Sequence, residues 1–161
     1  MEINFDWPAI RAHFRASWKS NFHVSIASVN AEHHPTVTPI GSLFLNQDAT
    51  GFYFEKYPTS LPLHVQVNPN ICILAVNSGR WFWLTSLFRG RFPTYPAVKL
   101  YGLMGQKRLA TGDEKKRLLN RMKSASRLKG YHYLWKDMEY VRELKFIRAE
   151  KINLGSMTSH L

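Results

Sequence analysis

The chain is predicted to fold as a mainly β, antiparallel barrel, closed or partly closed, with peripheral helices. Three observations predict it. Short apolar and aromatic runs suited to strands follow one another through the middle of the chain, and turns of hairpin length join several of them. Helical spacing is confined to an opening segment, one short insert and a stretch near the end. The 161 residues match one domain with a sizeable core.

The opening helix is expected over about 6–19. Asp6 is its candidate cap, and Pro8 sits in the first turn, where proline is tolerated. Trp7, Ile10, Phe14 and Trp18 recur at helical spacing and form one apolar face. The barrel is expected over about 22–110. FHVSIASVN (22–30) reads as a strand, AEHHP as a turn and TVTPI (36–40) as a second strand. Pro39 marks that second strand as an edge, a bulge or a ligand-facing stretch, because proline cannot donate to a ladder. SLFL, the turn NQDATG and FYFEK form a hairpin. SLPLHVQVN (60–68) is a short helix, and ICILAVN (71–77) is a buried strand. Residues 78–96 are aromatic, basic and broken by Gly90, Pro93 and Pro96, and read as a strand followed by an excursion. AVKLYGLMGQKRLA (97–110) is a long strand, bent at Gly102 and Gly105.

Helices follow over about 112–139. Thr111 and Glu114 have capping-box spacing, with the hydroxyl first and the carboxylate three residues later. The helix they open has Leu118, Leu119 and Met122 as its apolar face, and its many Lys and Arg read as a solvated face. YHYLWKDM is a short second helix, and a final strand is expected over about 141–153. The whole chain, 1–161, reads as a single domain without repeats or a low-complexity linker.

Composition limits the function classes. The formal net charge of +11 favours phosphorylated or polyanionic ligands and keeps nucleic acid open as a partner. The Lys and Arg are nevertheless dispersed from Arg11 to Lys151, with no run of four. The single cysteine, Cys72, lies in an apolar run and reads as a buried, inert thiol, so a reducing compartment is expected. No segment approaches the roughly 18 apolar residues of a membrane helix. The opening MEINFDWPAI lacks the layout of a signal peptide. The expected location is therefore the cytoplasm, with no membrane partner.

Catalytic signatures are sparse. His33 and His34 are neighbours in a turn and do not converge on a metal, and no Cys/His spacing suits zinc. Ser28, Ser42 and Ser86 have no recognisable base partner. The capping box accounts for Asp113 and Glu114, while Asp137, Glu139 and Glu143 read as surface. The most suggestive stretch is FYFEKYPTSLP (52–62), in which a lysine and two hydroxyls stand on the turn between a strand and a helix. A helix N-terminus is partly positive and its N–H groups suit a phosphate.

Three blocks carry a resemblance: PTVTPIGSLFL (35–45), FYFEKYPTSLPLHVQVNPNICILAV (52–76) and AVKLYGLMGQKRLATGDE (97–114). Their order resembles the FMN-binding split β-barrel of the pyridoxamine 5'-phosphate oxidase-like superfamily, and LWKDMEYVRELKF (134–146) looks like the ending of its smaller oxidase-related members. The resemblance implies a homodimer with FMN at the subunit interface and a small-molecule substrate. Val37, Thr38, Pro39, Ile40 and Gly41 would lie along the flavin ring, and Lys56, Thr59 and Ser60 would hold the phosphate. Trp83, from the aromatic stretch, and Lys99, from the long strand, complete the implied cofactor set.

The sequence departs from the family pattern at Ser60, Leu61 and Leu63, where further basic residues are usual, and at Ala97, where the related oxidases have glutamine. Arg80, Arg89 or Arg91 are alternative holders of the phosphate, and pyridoxamine phosphate itself is not the expected substrate. The implied activity is that of a flavin-dependent oxidoreductase. The alternative is a binding module without turnover: a flavin carrier, a haem carrier with His23 or His64 as axial ligand, or a basic barrel for nucleic acid. The aromatic-basic run 81–95 is open to three readings: interface and core, a cap over the flavin, or a stacking platform for single strands.

Overall fold

The computed structural model describes the backbone of residues 3–161 and side chains from residue 6 onward. Met1 and Glu2, the start of the expected domain, lie outside the described residues. The opening helix α1 is Ile3–Asn21, so Asp6 stands in its first turn and does not cap it. Strands β1 (Val24–Val29), β2 (Pro35–Ile40), β3 (Leu43–Leu45) and β4 (Thr50–Phe54) follow. Helix α2 (Ser60–Val67), strand β5 (Asn70–Val76), helix α3 (Arg80–Arg89) and the long strand β6 (Ala97–Leu109) come next. Helices α4 (Gly112–Met122) and α5 (Lys129–Trp135) precede the last strand, β7 (Tyr140–Lys151).

The seven strands form one antiparallel sheet in the order β2-β1-β5-β6-β7-β4-β3. Its two edge strands, β2 and β3, are consecutive in the chain, and only Gly41 and Ser42 separate them. Three peptide steps reach roughly 10 Å at most. The sheet must therefore curl until its opposite edges nearly meet, which makes it a half-closed barrel. Pro39 lies on the edge strand β2, opposite Ser25, where its missing N–H costs no interior ladder bond. The register of β6 against β7 shifts at Tyr101/Gly102 and between Met104 and Lys107, close to both expected bends. A Cβ on Gly102 would stand 2.4 Å from the Lys145 carbonyl oxygen, so the strands meet there only because residue 102 has none.

The interior divides into two apolar clusters. One fills the barrel beneath α1, with Trp7, Ile10 and Phe14 against Ile26, Ile73, Leu100 and Phe146. The other joins Phe44, Phe52 and Phe54 to Leu118, Met122 and Met138 under α4 and the α5 segment. Strand β4 serves both, since Tyr53 belongs to the first and its neighbours Phe52 and Phe54 to the second. That alternation is the period-2 geometry of a strand buried on both faces.

Besides the Asp6 cap, four expectations need correction. Residues 80–89 are helical, not a strand and excursion. Aromatic content suggested β structure, but Gly90 takes the left-handed conformation (φ 65°) that ends a helix, and Ser86 and Phe82 face the fold while Trp81 and Phe88 face out. Leu119 is exposed, because of the three apolar residues expected to face inward only Leu118 and Met122 are buried. The basic residues of α4 are not all solvated, since Arg117 and Arg121 turn toward the barrel. Cys72 is half-buried on β5 instead of fully enclosed, and burial raises its thiol pKa. The capping box is present in full. The Thr111 hydroxyl accepts from the Glu114 N–H, and the Glu114 carboxylate accepts from the Thr111 N–H at 2.8 Å.

Candidate functional site

The short link that forces the sheet to curl also forms the wall of a cleft. Thr38, Pro39, Ile40 and Gly41 line it together with Tyr57 and Pro58 from the turn before α2. Leu134, Trp135 and Met138 close its far side, and its volume is about 270 Å³. Edge-strand residues 38–41 of the expected set thus share a cleft with Tyr57 and Pro58, some 18 positions away in the chain, while the expected Val37, Lys56, Thr59 and Ser60 are outside its lining. The wall is held from behind. Trp18 Nε1 donates to the Gly41 carbonyl at 2.9 Å, and the Ser42 hydroxyl donates to the Phe54 carbonyl at 3.1 Å. Gly41 is needed for packing: a Cβ there would meet the Phe22 carbonyl oxygen at 3.0 Å and the Trp135 ring at 3.3 Å. The side chain that approaches closely there is the protein's own Trp135.

The turn beside the cleft has mixed availability. Thr59 is the N-cap of α2, yet its side chain makes no capping bond, and no acidic residue stands in the first turn. Thr59 and Ser60 are both exposed. Lys56 is engaged: its Nζ donates to the Lys136 carbonyl at 2.6 Å. The Tyr57 hydroxyl donates to the carbonyls of Tyr133 and Leu134. The segment 133–136 is thus strapped across the turn.

The remaining members of the implied set stand elsewhere in the same chain. Val37 is exposed on β2. Trp83, on α3, donates from Nε1 to the Asn77 carbonyl at 2.7 Å and packs edge-on against Phe92. Lys99, on β6, forms an ion pair with Glu150 at 3.0 Å, which raises its pKa. His23 is exposed, with Nδ1 against the Asn21 carbonyl. His64 uses Nδ1 on the hydroxyls of Ser28 and Thr36, at 3.0 and 3.3 Å. Among the described residues, no group of three or more His, Cys, Asp and Glu side chains converges on a metal position.

One element beside the candidate site was missed in the sequence. Glu55, directly before the turn, is buried and receives Arg142 bidentately, at 2.6 and 2.9 Å. It also accepts from the Tyr53 hydroxyl at 2.8 Å, and Lys107 lies 3.5 Å away. Burial pushes the Glu55 carboxyl up. The hydrogen bonds from Arg142 and Tyr53 and the charges of Arg142 and Lys107 outweigh it, and the net shift is downward. This network pins the end of β4 to β7 and so fixes where the turn begins. A charged residue closing an apolar strand was the only local signal, and its partner lies 87 positions away.

No family model and no curated protein matches the chain. Solved structures do. The chain is similar to an FMN-binding protein from Syntrophomonas wolfei, with a TM-score of 0.58 and 10% identity over 94% of this chain and 95% of that one. It is similar to HutZ, the heme storage protein from Vibrio cholerae, with a TM-score of 0.54 and 11% identity over 89% and 92%. A candidate pyridoxamine 5'-phosphate oxidase from Lactobacillus delbrueckii gives a TM-score of 0.51 and 15% identity over 84% and 88%. The chain therefore has the FMN-binding split β-barrel fold, as the resemblance implied. Among the described residues, no helix is long and apolar enough to cross a membrane.

Proposed function

We propose that the protein binds FMN in the cleft between β2 and the start of α2, and acts as a flavin-dependent oxidoreductase on a small molecule. The observation that carries this is the junction itself: edge-strand residues 38–41 and the α2 turn line or border one cleft at the opening of the barrel. The residues present suit the cofactor. Pro39, Ile40 and Trp135 offer an apolar wall for a flat ring, and an edge strand leaves backbone groups free for its polar rim. The Thr59 and Ser60 hydroxyls and the first N–H groups of α2 suit the phosphate, with no carboxylate in that turn to repel it. Lys56 joins them by exchanging its bond to the Lys136 carbonyl for a charge-assisted one. FMN, when bound, supplies hydride or electron transfer, and the chain supplies orientation and exclusion of water.

The same reading takes the protein as a cytoplasmic homodimer with the cofactor between subunits. A cleft of about 270 Å³ falls below the roughly 300–1,000 Å³ of a typical ligand pocket. A second copy would supply the missing wall, and Trp83 and Lys99 are the residues it would bring. Helix α3 also presents an uncovered apolar face, with Trp81 80% and Phe88 94% exposed beside Leu84. Trp81→Glu combined with Phe88→Glu is expected to turn a dimer into a monomer in size-exclusion chromatography with light scattering. A monomeric parent, or a variant that stays dimeric, rejects this face.

The direct test is the visible spectrum of the purified protein after FMN addition and desalting. Flavin bands near roughly 370 and 450 nm should survive desalting. A colourless protein, or a single strong band near roughly 400 nm from copurified haem, would overturn the reading.

A further inference from the structure

A second cleft, of about 350 Å³, lies on another side of the barrel, between α1, α4 and β3. Four arginines line it: Arg11 and Arg15 from α1, and Arg117 and Arg121 from α4. Each pair is spaced i,i+4, which puts both members on one helix face, and the two faces meet across the cleft. Like charges at that spacing weaken a helix, and here two such pairs converge. No carboxylate lines the cleft among the described residues.

The protein's treatment of its other arginines sharpens the contrast. Arg108 grips Glu114 with two nitrogens at 2.8 and 2.9 Å and Glu143 with a third, and Arg142 grips Glu55. The inner pair of the cleft hydrogen-bonds only to neutral groups among the described residues. Arg117 donates to the Asn46 side chain at 2.8 Å and to the Leu45 carbonyl at 3.0 Å. Arg121 donates to the Leu43 carbonyl, with its guanidinium 3.5 Å from the Phe44 ring centroid and 5.1 Å from that of Trp18. A guanidinium has five N–H donors, so each keeps some to spare. Burial, followed by the charge of Arg117, lowers the Arg121 pKa to about 9. For Arg117 burial lowers the pKa most and the charge of Arg11 next, against a smaller upward effect of the Glu114 charge. Burial reports desolvation, while the charge effects of Arg11 and Arg117 report crowded cations that a bound anion would relieve.

We propose that this cleft is a binding site for a phosphorylated small molecule, whose phosphate or diphosphate group is held by Arg11, Arg15, Arg117 and Arg121. Guanidinium forks match phosphate oxygens bidentately, and four of them suit a di- or trianion better than a single carboxylate. A cleft walled by two helices and a strand suits a discrete ligand better than a continuous strand, which requires a groove that tracks a backbone. The site is separate from the flavin cleft, since the two share no lining residue.

The test is calorimetric titration with inorganic pyrophosphate at about 0.1 M salt. One saturable site per chain is expected. Arg11→Gln with Arg15→Gln, on the more exposed helix, should weaken it roughly tenfold or more. Arg117→Gln is expected to do the same, with thermal unfolding followed in parallel because that side chain also holds β3. Arg89→Gln with Arg91→Gln, and separately Thr59→Asp at the flavin turn, should leave it unchanged. The proposal falls if the parent shows no saturable binding, or if the Arg11/Arg15 variant binds like the parent. It also falls if Thr59→Asp abolishes binding, or if only single-stranded oligonucleotide binds and pyrophosphate fails to compete.

Discussion

Replacing Arg142 with alanine is expected to destabilise the protein by about 3–5 kcal/mol, the cost of leaving a buried charge without its partner. Glu55 and Arg142 side chains are only 4% and 13% exposed, so solvent cannot take over the lost contacts. Lys107 at 3.5 Å and the Tyr53 hydroxyl remain, but neither reproduces the bidentate pair. Urea or guanidinium unfolding at neutral pH measures the loss. The pH dependence supplies a second check. In the parent, the Glu55 pKa is lower folded than unfolded. It therefore contributes stability that is present above the unfolded value of about 4.3 and is lost as pH falls through the folded one. In the variant burial dominates, so the folded carboxyl takes up its proton first and acid no longer costs stability at this residue. The gap between parent and variant should narrow as pH drops below about 5. A gap that is small at neutral pH, or that widens in acid, would remove Glu55–Arg142 as the anchor of the turn before α2.

Thr59→Asp should cost the protein its flavin while leaving its stability unchanged or slightly raised. The N-cap hydroxyl of α2 makes no capping bond, so nothing structural is lost with it. Aspartate is at least as good a cap as threonine, and its charge suits the positive end of the helix. At the position proposed for a dianionic phosphate, the same charge is repulsive. Losing one charge-assisted bond and adding a like charge predicts a fall of roughly a hundredfold or more in FMN affinity. Flavin fluorescence quenching gives the affinity, and a thermal melt gives the stability. Unchanged affinity would move the phosphate away from this turn. A lower melting temperature would mean that Thr59 has a structural role.

The sequence made most of the barrel legible where the signal was local. The hairpin at 43–54, the short helix after the turn, the bends near Gly102 and Gly105, and the Thr111–Glu114 box each depend on residues a few positions apart. Helix α3 was misread because aromatic residues favour strands in general, while the left-handed Gly90 that ends the helix was taken as loop punctuation. In the candidate site, Thr38–Gly41 and the turn could be paired only through the resemblance. Nothing in their own composition places them together, and the strap formed by residues 133–136 left no trace in the sequence.

By itself, then, the sequence determined the local elements other than α3 and the antiparallel, hairpin-linked character of the sheet. Hydrophobic period, turn chemistry and capping act between near neighbours and need no knowledge of the rest of the chain. It also determined an excess of positive charge without showing where that charge gathers. Only the tertiary structure decided which edges meet across Gly41 and Ser42, that Glu55 finds Arg142, and that arginines from two helices roughly a hundred residues apart face one cleft. Those outcomes follow from strand order and helix docking. A buried charge or an arginine pair looks the same in the sequence whether it meets a carboxylate, a ligand or water, and the fold alone selects its partner.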